Sequence, residues 1–152
     1  GFDGKLAFGL FGIPGVKGVE FGRGFEASRM KGSENNDPWE ISPDAPGAKP
    51  RTNNAGGIAG GITTAAPVVF RIAMKPTPSI ALAQETISIS RRENAELGVR
   101  GRHDPCIGVR AVPVAEAVAA LAVLDSLLSG PAVLPQTLER PSIPTLGKIS
   151  NE

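Results

Sequence analysis

The pattern of apolar and polar positions predicts two helices, one near each end of the chain. Residues 2–12 carry large apolar side chains among small and polar ones and should form a helix that ends at Gly12, because Pro14 cannot continue it. Residues 113–129 hold the most apolar stretch and should form a buried helix. Pro113 suits its first turn, where a missing N–H costs nothing.

The chain between these helices shows the period-two alternation of strands. Four strands are predicted: Val16–Phe21, Val68–Met74, Thr86–Ser90 and Leu97–Gly101. In the second of these, one face collects the apolar side chains of Val68, Phe70, Ile72 and Met74. In the third, Ile87 and Ile89 are expected to face inward, and the charged residues 91–96 should form a hairpin tip.

Two segments have no clear periodicity. Residues 26–54 are polar and interrupted by prolines, which predicts a long loop that is either a functional lid or a surface loop. The glycine-rich residues 53–61 allow two interpretations, a tight structural turn or a cradle of backbone N–H groups for a phosphate.

The strands and flanking helices predict an α+β fold over residues 1–130, and residues 131–152, with four prolines, should form an extended tail.

Composition narrows the function classes. The 152 residues carry 16 Lys and Arg against 15 Asp and Glu, so no basic field attracts nucleic acid or a membrane surface. The longest uninterrupted apolar run, Ala117–Leu124, is too short to span a bilayer. A single cysteine fits a reducing compartment, and no signal peptide is visible. Since residue 1 is not Met and the first predicted helix looks truncated at its start, the chain is expected to be a fragment or a processed product.

A charged cluster runs directly into the apolar helix. Arg102, His103, Asp104 and Arg110 are expected at its leading end, where charged groups are unfavourable unless they pair or bind a ligand. Mutual pairing of Arg102 with Asp104 is the simplest alternative. His103 with Cys106 would suit a thiol nucleophile, but a buried, unreactive thiol is the better interpretation, and no zinc-ligand spacing is present.

A second candidate site follows the clearest strand. Residues 75–79, Lys-Pro-Thr-Pro-Ser, form a stiff turn with one cation and two hydroxyl groups. Such a turn suits an anion or a phosphate ester, because the donors are held with little conformational freedom. The alternative is an ordinary turn that ends a strand and carries a solvated lysine.

The sequence at Gly101–Val118 closely resembles the chorismate synthase family, in which Arg-His-Asp-Pro-Cys precedes Ala-Val-Pro-Val-Ala-Glu-Ala by four residues. Further matching segments occur in the same order as in the family: Val16–Gly22, Gly24–Phe25, Gly32–Asn35, Ala55–Ile62 and Lys75–Ser79. The resemblance covers nearly the whole chain and corresponds to the C-terminal part of a family member, less than half of its length.

The resemblance implies a fold and a reaction. The fold would be part of a β-α-β sandwich with antiparallel strands packed against long buried helices. The reaction would be the 1,4-anti elimination of phosphate from 5-enolpyruvylshikimate 3-phosphate, giving chorismate in the last step of the shikimate pathway. Reduced FMN would be required without net redox change. The implied assembly is a cytoplasmic homotetramer. It is expected to bind no nucleic acid, membrane or metal.

The resemblance also implies roles for individual residues. Asp104 would be the catalytic carboxylate near N5 of the flavin, and Arg102 would bind both FMN and the substrate. The other implied cofactor-binding residues are Pro14, Gly15, Gly60, Lys75, Pro76, Thr77, Pro78 and Ser79.

One departure from the family bears on activity. The family's Gly-Glu-Ser-His-Gly motif is absent, and the only histidine of this chain is His103. The two acid-base histidines of the family must therefore come from the remaining N-terminal part of the enzyme, and the isolated chain is expected to be inactive. The alternative is a catalytically incomplete fragment that acts only as a flavin- or phosphate-binding module or in assembly.

Overall fold

Two helices and one antiparallel pair of strands pack into what we call the body of the structure. The computed structural model describes residues 1–41, 47–102 and 106–129. The helices are α1 (Phe2–Phe11), α2 (Gly32–Asn35), α3 (Gly108–Ser129) and a 3-10 helix (Gly24–Arg29). The strands are β1 (Val16–Phe21), β2 (Trp39–Ile41), β3 (Ala48–Pro50), β4 (Ile58–Ala59), β5 (Ile62–Thr63), β6 (Phe70–Met74), β7 (Gln84–Ser88) and β8 (Glu93–Leu97).

The body consists of α1, β1, β6 and α3. Leu6 and Leu10 stand one helical turn apart on α1 and are only 1% and 0% exposed. They pack with the apolar residues Ile13, Val16, Ala115 and Ala122. The two helices approach closely because Gly9 has no side chain: a Cβ there would lie 2.8 Å from Cγ1 of Val118. The predicted first helix is thereby confirmed.

Strands β1 and β6 pair in antiparallel register from Val16 with Met74 to Phe21 with Phe70. The predicted alternation on β6 is confirmed, since the side chains of Phe70, Ile72 and Met74 are half-buried and those at 71 and 73 are exposed. The strand begins two residues later than predicted. We call the two ends of this ladder the Gly15 end and the Gly22 end, after the glycines that flank β1.

Every strand pair in the described part of the chain is antiparallel, and the other pairs are β2–β3, β4–β5 and β7–β8. Helices together with separate antiparallel strand pairs confirm the predicted α+β class. The predicted tail at residues 131–152 lies outside the described residues.

The prediction of one long loop at 26–54 is wrong. This segment contains α2, β2, β3 and most of the 3-10 helix. Polar contacts hold it, since the carboxylate of Asp37 accepts hydrogen bonds from Oγ1 of Thr52 and from two later backbone amides. Strands β2 and β3 have only three residues each, which is too short for a clear periodic signal, and all three residues of β2 are exposed.

The second hairpin differs from its prediction in both bounds and burial. Residues 93–97, expected as a charged tip and the start of a return strand, form β8 and pair with β7. Arg92, at φ +56°, lies in the turn between them. Ile87 and Ile89 are 65% and 83% exposed, so the inward orientation is wrong. The two strands pair with each other, and most of their residues are exposed in the part of the chain that the structure describes, so the alternation leads to little burial.

Helix α3 also departs from its prediction. It begins at Gly108, so Pro113 lies in its second turn rather than its first and leaves the carbonyl of Val109 without its helical N–H donor. Within this helix only Ala111, Ala115 and Ala122 are buried, so the prediction of a buried helix is wrong for this chain. Its 22 residues are also long and apolar enough to cross a membrane by length and composition alone, a criterion that core helices of soluble proteins meet as well.

Candidate functional site at the Gly15 end

Three segments that are distant in sequence meet at the Gly15 end of the ladder. The amide of Lys75 donates to the carbonyl of Gly15 at 2.8 Å, which extends the β1–β6 pairing by one step. Gly15 has φ +93°, and a Cβ on it would lie 2.6 Å from Cδ1 of Ile107 and 3.2 Å from Cε of Met74. The turn at Pro14–Gly15, the turn that starts at Lys75 and the segment leading into α3 are therefore neighbours.

The polar side chains of the turn after β6 differ in their exposure to solvent. Lys75 and both prolines are exposed, whereas Thr77 and Ser79 are half-buried. Oγ1 of Thr77 is buried and has no hydrogen-bond partner among the described residues. A buried hydroxyl without a partner is unfavourable by about 1–3 kcal/mol, so this atom is a natural contact for a ligand. The carbonyl of Pro78 accepts a bond from Nε2 of Gln84 at 3.1 Å, which fixes the turn against β7.

The beginning of α3 contributes the positive end of a long helix. Its first turn contains no acidic residue, so the positive end of the helix dipole favours an anion, although the amides of Arg110 and Ala111 already donate to the carbonyl of Ile107. Cys106 is exposed, which corrects the expectation of a buried thiol, and its Sγ accepts a bond from the amide of Gly108 at 3.3 Å. Arg102 is exposed on the segment that leads to this point. His103 and Asp104 lie outside the described residues.

The first half of the glycine-rich stretch is a structural turn. The amides of Asn54 and Ala55 donate to the two carboxylate oxygens of Asp37 at 2.7 and 2.9 Å. The next two amides donate to the backbone carbonyl and the side chain of Asn53, at 3.2 and 2.6 Å. Four consecutive N–H groups are thus already satisfied, and a carboxylate stands where an anion would bind. Of the two interpretations offered by the sequence, the tight turn is correct for residues 54–57.

Asp37 is the anchor of this turn. Partial burial raises the pKa of its carboxyl group, but hydrogen bonds from Thr52 and from the amides of Ala55 and Asn54 outweigh that effect, so the pKa lies below its usual value. The sequence analysis missed Asp37 because its partners lie 15 to 18 residues away and belong to no periodic pattern.

Gly60 lies apart from the other predicted cofactor-binding residues. It sits in the turn between β4 and β5 with φ +58°, and the carbonyl of the next residue, Gly61, accepts a bond from the amide of Phe2 at 2.9 Å. That contact places the turn at the start of α1, whereas Pro14 and Gly15 follow its end. A helix of ten residues is about 15 Å long, so Gly60 and the Gly15 end are separated by roughly that distance.

Comparison with known proteins identifies the family. The model of the family described as chorismate synthase matches residues 1–128. The chain belongs to the chorismate synthase family. The family is one of lyases in aromatic amino-acid biosynthesis. The resemblance drawn from the sequence motifs is thereby confirmed.

Individual relatives agree with the family match. The chorismate synthase of Archaeoglobus fulgidus is 53% identical over 126 residues, which is 83% of this chain and 34% of the relative. That of Methanosarcina acetivorans is 49% identical over 136 residues, 90% of this chain and 37% of the relative. A crystal structure of chorismate synthase aligns with a TM-score of 0.55 and 37% identity, over 84% of this chain and 30% of the other. The chain thus spans about a third of the length of its relatives.

Proposed function

We propose that this chain supplies the FMN-binding part of a chorismate synthase. Joined by the rest of the fold, it would convert 5-enolpyruvylshikimate 3-phosphate to chorismate by 1,4-anti elimination of phosphate. Reduced FMN would be required, without net redox change. The observation that supports this proposal is the meeting of Pro14–Gly15, Lys75 and the start of α3 at one end of the β1–β6 ladder.

The residues at this end suit a phosphorylated cofactor. Oγ1 of Thr77 has no hydrogen-bond partner among the described residues, the ammonium of Lys75 is exposed two residues earlier, and the first turn of α3 contains no acidic residue. Lys75, Thr77 and Ser79 are proposed to hold the phosphate or ribityl chain of FMN, with Pro76 and Pro78 fixing the turn. Reduced FMN, when bound, supplies transient electron density that helps the phosphate leave.

Two side chains next to the start of α3 are proposed to act on the substrate. The guanidinium of Arg102 stays charged at all working pH values and can pair with a phosphate through two hydrogen bonds, so it is assigned to both FMN and substrate. Asp104 is proposed as the carboxylate that assists proton transfer at the reacting centre. Gly60 remains a predicted cofactor contact. Since it lies near the start of α1, away from Gly15, this role requires that FMN or a second subunit reach that end of the helix.

The proposed partner is the remaining N-terminal part of the enzyme, which would bring the two acid-base histidines. The complete protein is proposed to be a cytoplasmic homotetramer with a β-α-β sandwich fold. His103 is the only histidine of the chain, so the chain alone is expected to be inactive.

An anaerobic assay with reduced FMN and 5-enolpyruvylshikimate 3-phosphate tests the proposal, with chorismate followed by its absorbance. The chain is assayed alone and with a separately produced N-terminal part of chorismate synthase. We expect activity only in the mixture, lost in Asp104→Asn. Lys75→Ala should weaken FMN binding by about tenfold or more, since it removes a charged phosphate contact. Lys49→Ala, which removes a lysine paired with Glu40 on another hairpin, is the matched control.

A second candidate function is a flavin- or phosphate-binding module without catalysis, which the absence of further histidines favours. Flavin fluorescence separates the two. FMN binding with no activity in the mixture would support the module, and an absence of both would reject the two proposals together. Activity of the isolated chain would show that the missing histidines are not needed.

A further inference from the structure

A groove on the outer face of the β1–β6 ladder has no part in the proposed function. Val19 and Ile72 pack against the core, so the alternating Glu20 and Arg71 lie on the face turned away from the helices. We call this feature the arginine groove, and it is lined by Glu20, Arg23, Phe25, Glu26, Arg29 and Arg71. Its volume is about 400 Å³, which is within the range of small-molecule sites.

The arginine groove lies at the Gly22 end of the ladder. Glu20 and Arg71 are directly opposite each other in the register, next to the final pair of Phe21 with Phe70. Gly15 precedes Glu20 by five residues, which corresponds to about 16 Å along an extended strand. A small ligand in the arginine groove therefore does not reach the proposed FMN contacts around Gly15.

Glu20 fixes the shape of the groove. Its Oε1 lies 2.8 Å from Nε of Arg71, and its Oε2 accepts a hydrogen bond from the amide of Phe25 at 3.1 Å. Gly24, at φ +55°, passes so close to this carboxylate that a Cβ there would collide with it. The Glu20 side chain is only 27% exposed. Its role in the groove is therefore to position Arg71 and the start of the 3-10 helix.

Two guanidinium groups keep donors for a further acceptor. Arg71 donates Nη2 to the carbonyl of Gly22 at 3.3 Å in addition to its contact with Glu20, which leaves Nη1. Arg29 is exposed, and its side chain forms no hydrogen bond or ion pair with any residue that the structure describes. Its whole guanidinium group is therefore available to a ligand.

The charge balance and an aromatic ring define the class of ligand. Three arginines and two glutamates line the groove, which leaves a net charge of +1. That balance suits a monoanion better than a dianion, because the glutamates repel each additional negative charge. Phe25 is 80% exposed and adds the flat face of its ring.

We propose that the arginine groove binds a small monocarboxylate attached to a flat, unsaturated ring. Arg29 and Arg71 hold the carboxylate, since a planar guanidinium pairs with a carboxylate through parallel hydrogen bonds. The ring of the ligand packs on Phe25. The proposal is independent of the FMN-binding role of the Gly15 end.

The test titrates the isotope-labelled chain with benzoate, without flavin or substrate, and follows the amide of Phe25 and the arginine Nε–H groups by NMR. The ionic strength is held at about 0.1 M, so that screening is the same for every probe. Benzoate should bind saturably. Acetate, which lacks the ring, and benzamide, which lacks the charge, should each bind at least about fivefold more weakly. Inorganic phosphate should also bind more weakly than benzoate, because of its second charge.

Two variants separate the carboxylate contact from the ring contact. Arg29→Gln removes a charged donor and should weaken benzoate binding by about tenfold. Phe25→Ala should weaken benzoate binding by about threefold to fivefold and leave acetate binding unchanged, which a general loss of structure would not do. Arg91→Gln changes another exposed arginine, on the β7–β8 turn, and as the matched control should leave the affinity within about twofold. Circular dichroism of each free variant checks folding, which should be unchanged because these side chains are exposed.

Three outcomes would overturn the proposal. Benzoate that binds no more tightly than acetate and benzamide would show that the groove does not recognise ring and charge together. Inorganic phosphate that binds more tightly than benzoate at the same resonances would reject the carboxylate. A benzoate affinity that is unchanged in both Arg29→Gln and Phe25→Ala would place the binding outside the groove. Each of these outcomes leaves the FMN proposal untouched, since no flavin is present.

Discussion

The body and the β7–β8 hairpin each contain a strand with alternating apolar residues, but only the body buries its apolar face. In the body, apolar positions on α1 face β1 and α3, and Leu6 and Leu10 are fully buried. In the hairpin, only Ser88 and Ala95 are even half-buried. Periodicity therefore identifies an element, but burial requires a partner surface within the same chain.

The hairpin also contains a local conflict that the body lacks. Glu85 stands directly opposite Glu96 in the β7–β8 register. Like charges across a strand pair are destabilising, and an isolated two-stranded hairpin is marginal in water. We expect the hairpin to open more readily than the body.

The largest expected difference between the two regions comes from truncating an apolar side chain in each. Leu10→Ala leaves a cavity among the buried residues of the body and should lower the free energy of unfolding by about 2–5 kcal/mol. Ile87→Ala removes a 65% exposed side chain and should change it by less than about 0.5 kcal/mol. Urea denaturation followed by circular dichroism measures both. Equal effects would show that the hairpin packs as tightly as the body.

Asp37 gives the next largest effect. Asp37→Asn weakens the bonds to Thr52 and to the amides of residues 54 and 55, so we expect a loss of about 1–2 kcal/mol in unfolding free energy. Thr52→Val, which removes only one of the three bonds, should lose less.

The same carboxyl group makes the turn sensitive to acid. Its folded-state pKa lies below the usual value of 3.8, so its contribution is complete above that value and is lost as the pH falls through the folded-state pKa. Denaturation curves between about pH 6 and pH 3, where carboxyl groups titrate, should show a smaller loss of stability in Asp37→Asn than in the unmutated chain. Parallel losses would contradict the assignment.

A smaller effect is expected within the hairpin. Glu85→Lys replaces the repulsion across the register with an attraction to Glu96 and should stabilise the hairpin by about 0.5–1 kcal/mol. Hydrogen exchange of the β7 and β8 amides should slow, while amides of α1 stay unchanged. Glu85→Gln, which only removes the repulsion, should give an intermediate result, and faster exchange in Glu85→Lys would refute the explanation.

The smallest effect is expected from the ion pair between α1 and α3. Nζ of Lys5 lies 2.6 Å from Oδ2 of Asp125, but both side chains are at least 40% exposed. Lys5→Met should therefore lower the unfolding free energy by less than about 0.5 kcal/mol, and by still less in high salt. Lys17→Met, on the exposed side of β1, is the control.

Sequence reasoning located the elements whose partners lie within the chain. It predicted β1 with its exact bounds and α1 to within one residue at its end. The apolar residues that set these patterns, among them Leu6, Leu10 and Val16, are the ones that the body buries. It misplaced β8, because residues 93–96 are charged or polar apart from Ala95 and pair through their backbone. It missed the elements within residues 26–41 and 47–54, where the carboxylate of Asp37 joins Thr52 and the amides of residues 54 and 55 across a long sequence separation.

The individual residues of the candidate site were predictable from the sequence, but their spatial arrangement was not. Lys75 and Gly15 were both identified, whereas their contact follows from the pairing of β1 with β6, and the sequence signals each strand but not its partner. Gly60 was grouped with them, although the bond from the amide of Phe2 to the carbonyl of Gly61 places it at the start of α1, the end opposite Gly15. The family itself was recognisable from short motifs, because these depend on local residue identity and not on packing.

The contact between α1 and α3 has a consequence for the order of folding during synthesis. These are the first and last of the described elements, and Gly9 and Val118 meet across more than a hundred residues of sequence. Pairings of such long sequence separation form late, because the intervening chain must first be ordered. Leu6 and Leu10 therefore lack their contacts with α3 until that helix has been synthesised, and ribosome-bound chains that stop before residue 108 should leave these two side chains more exposed.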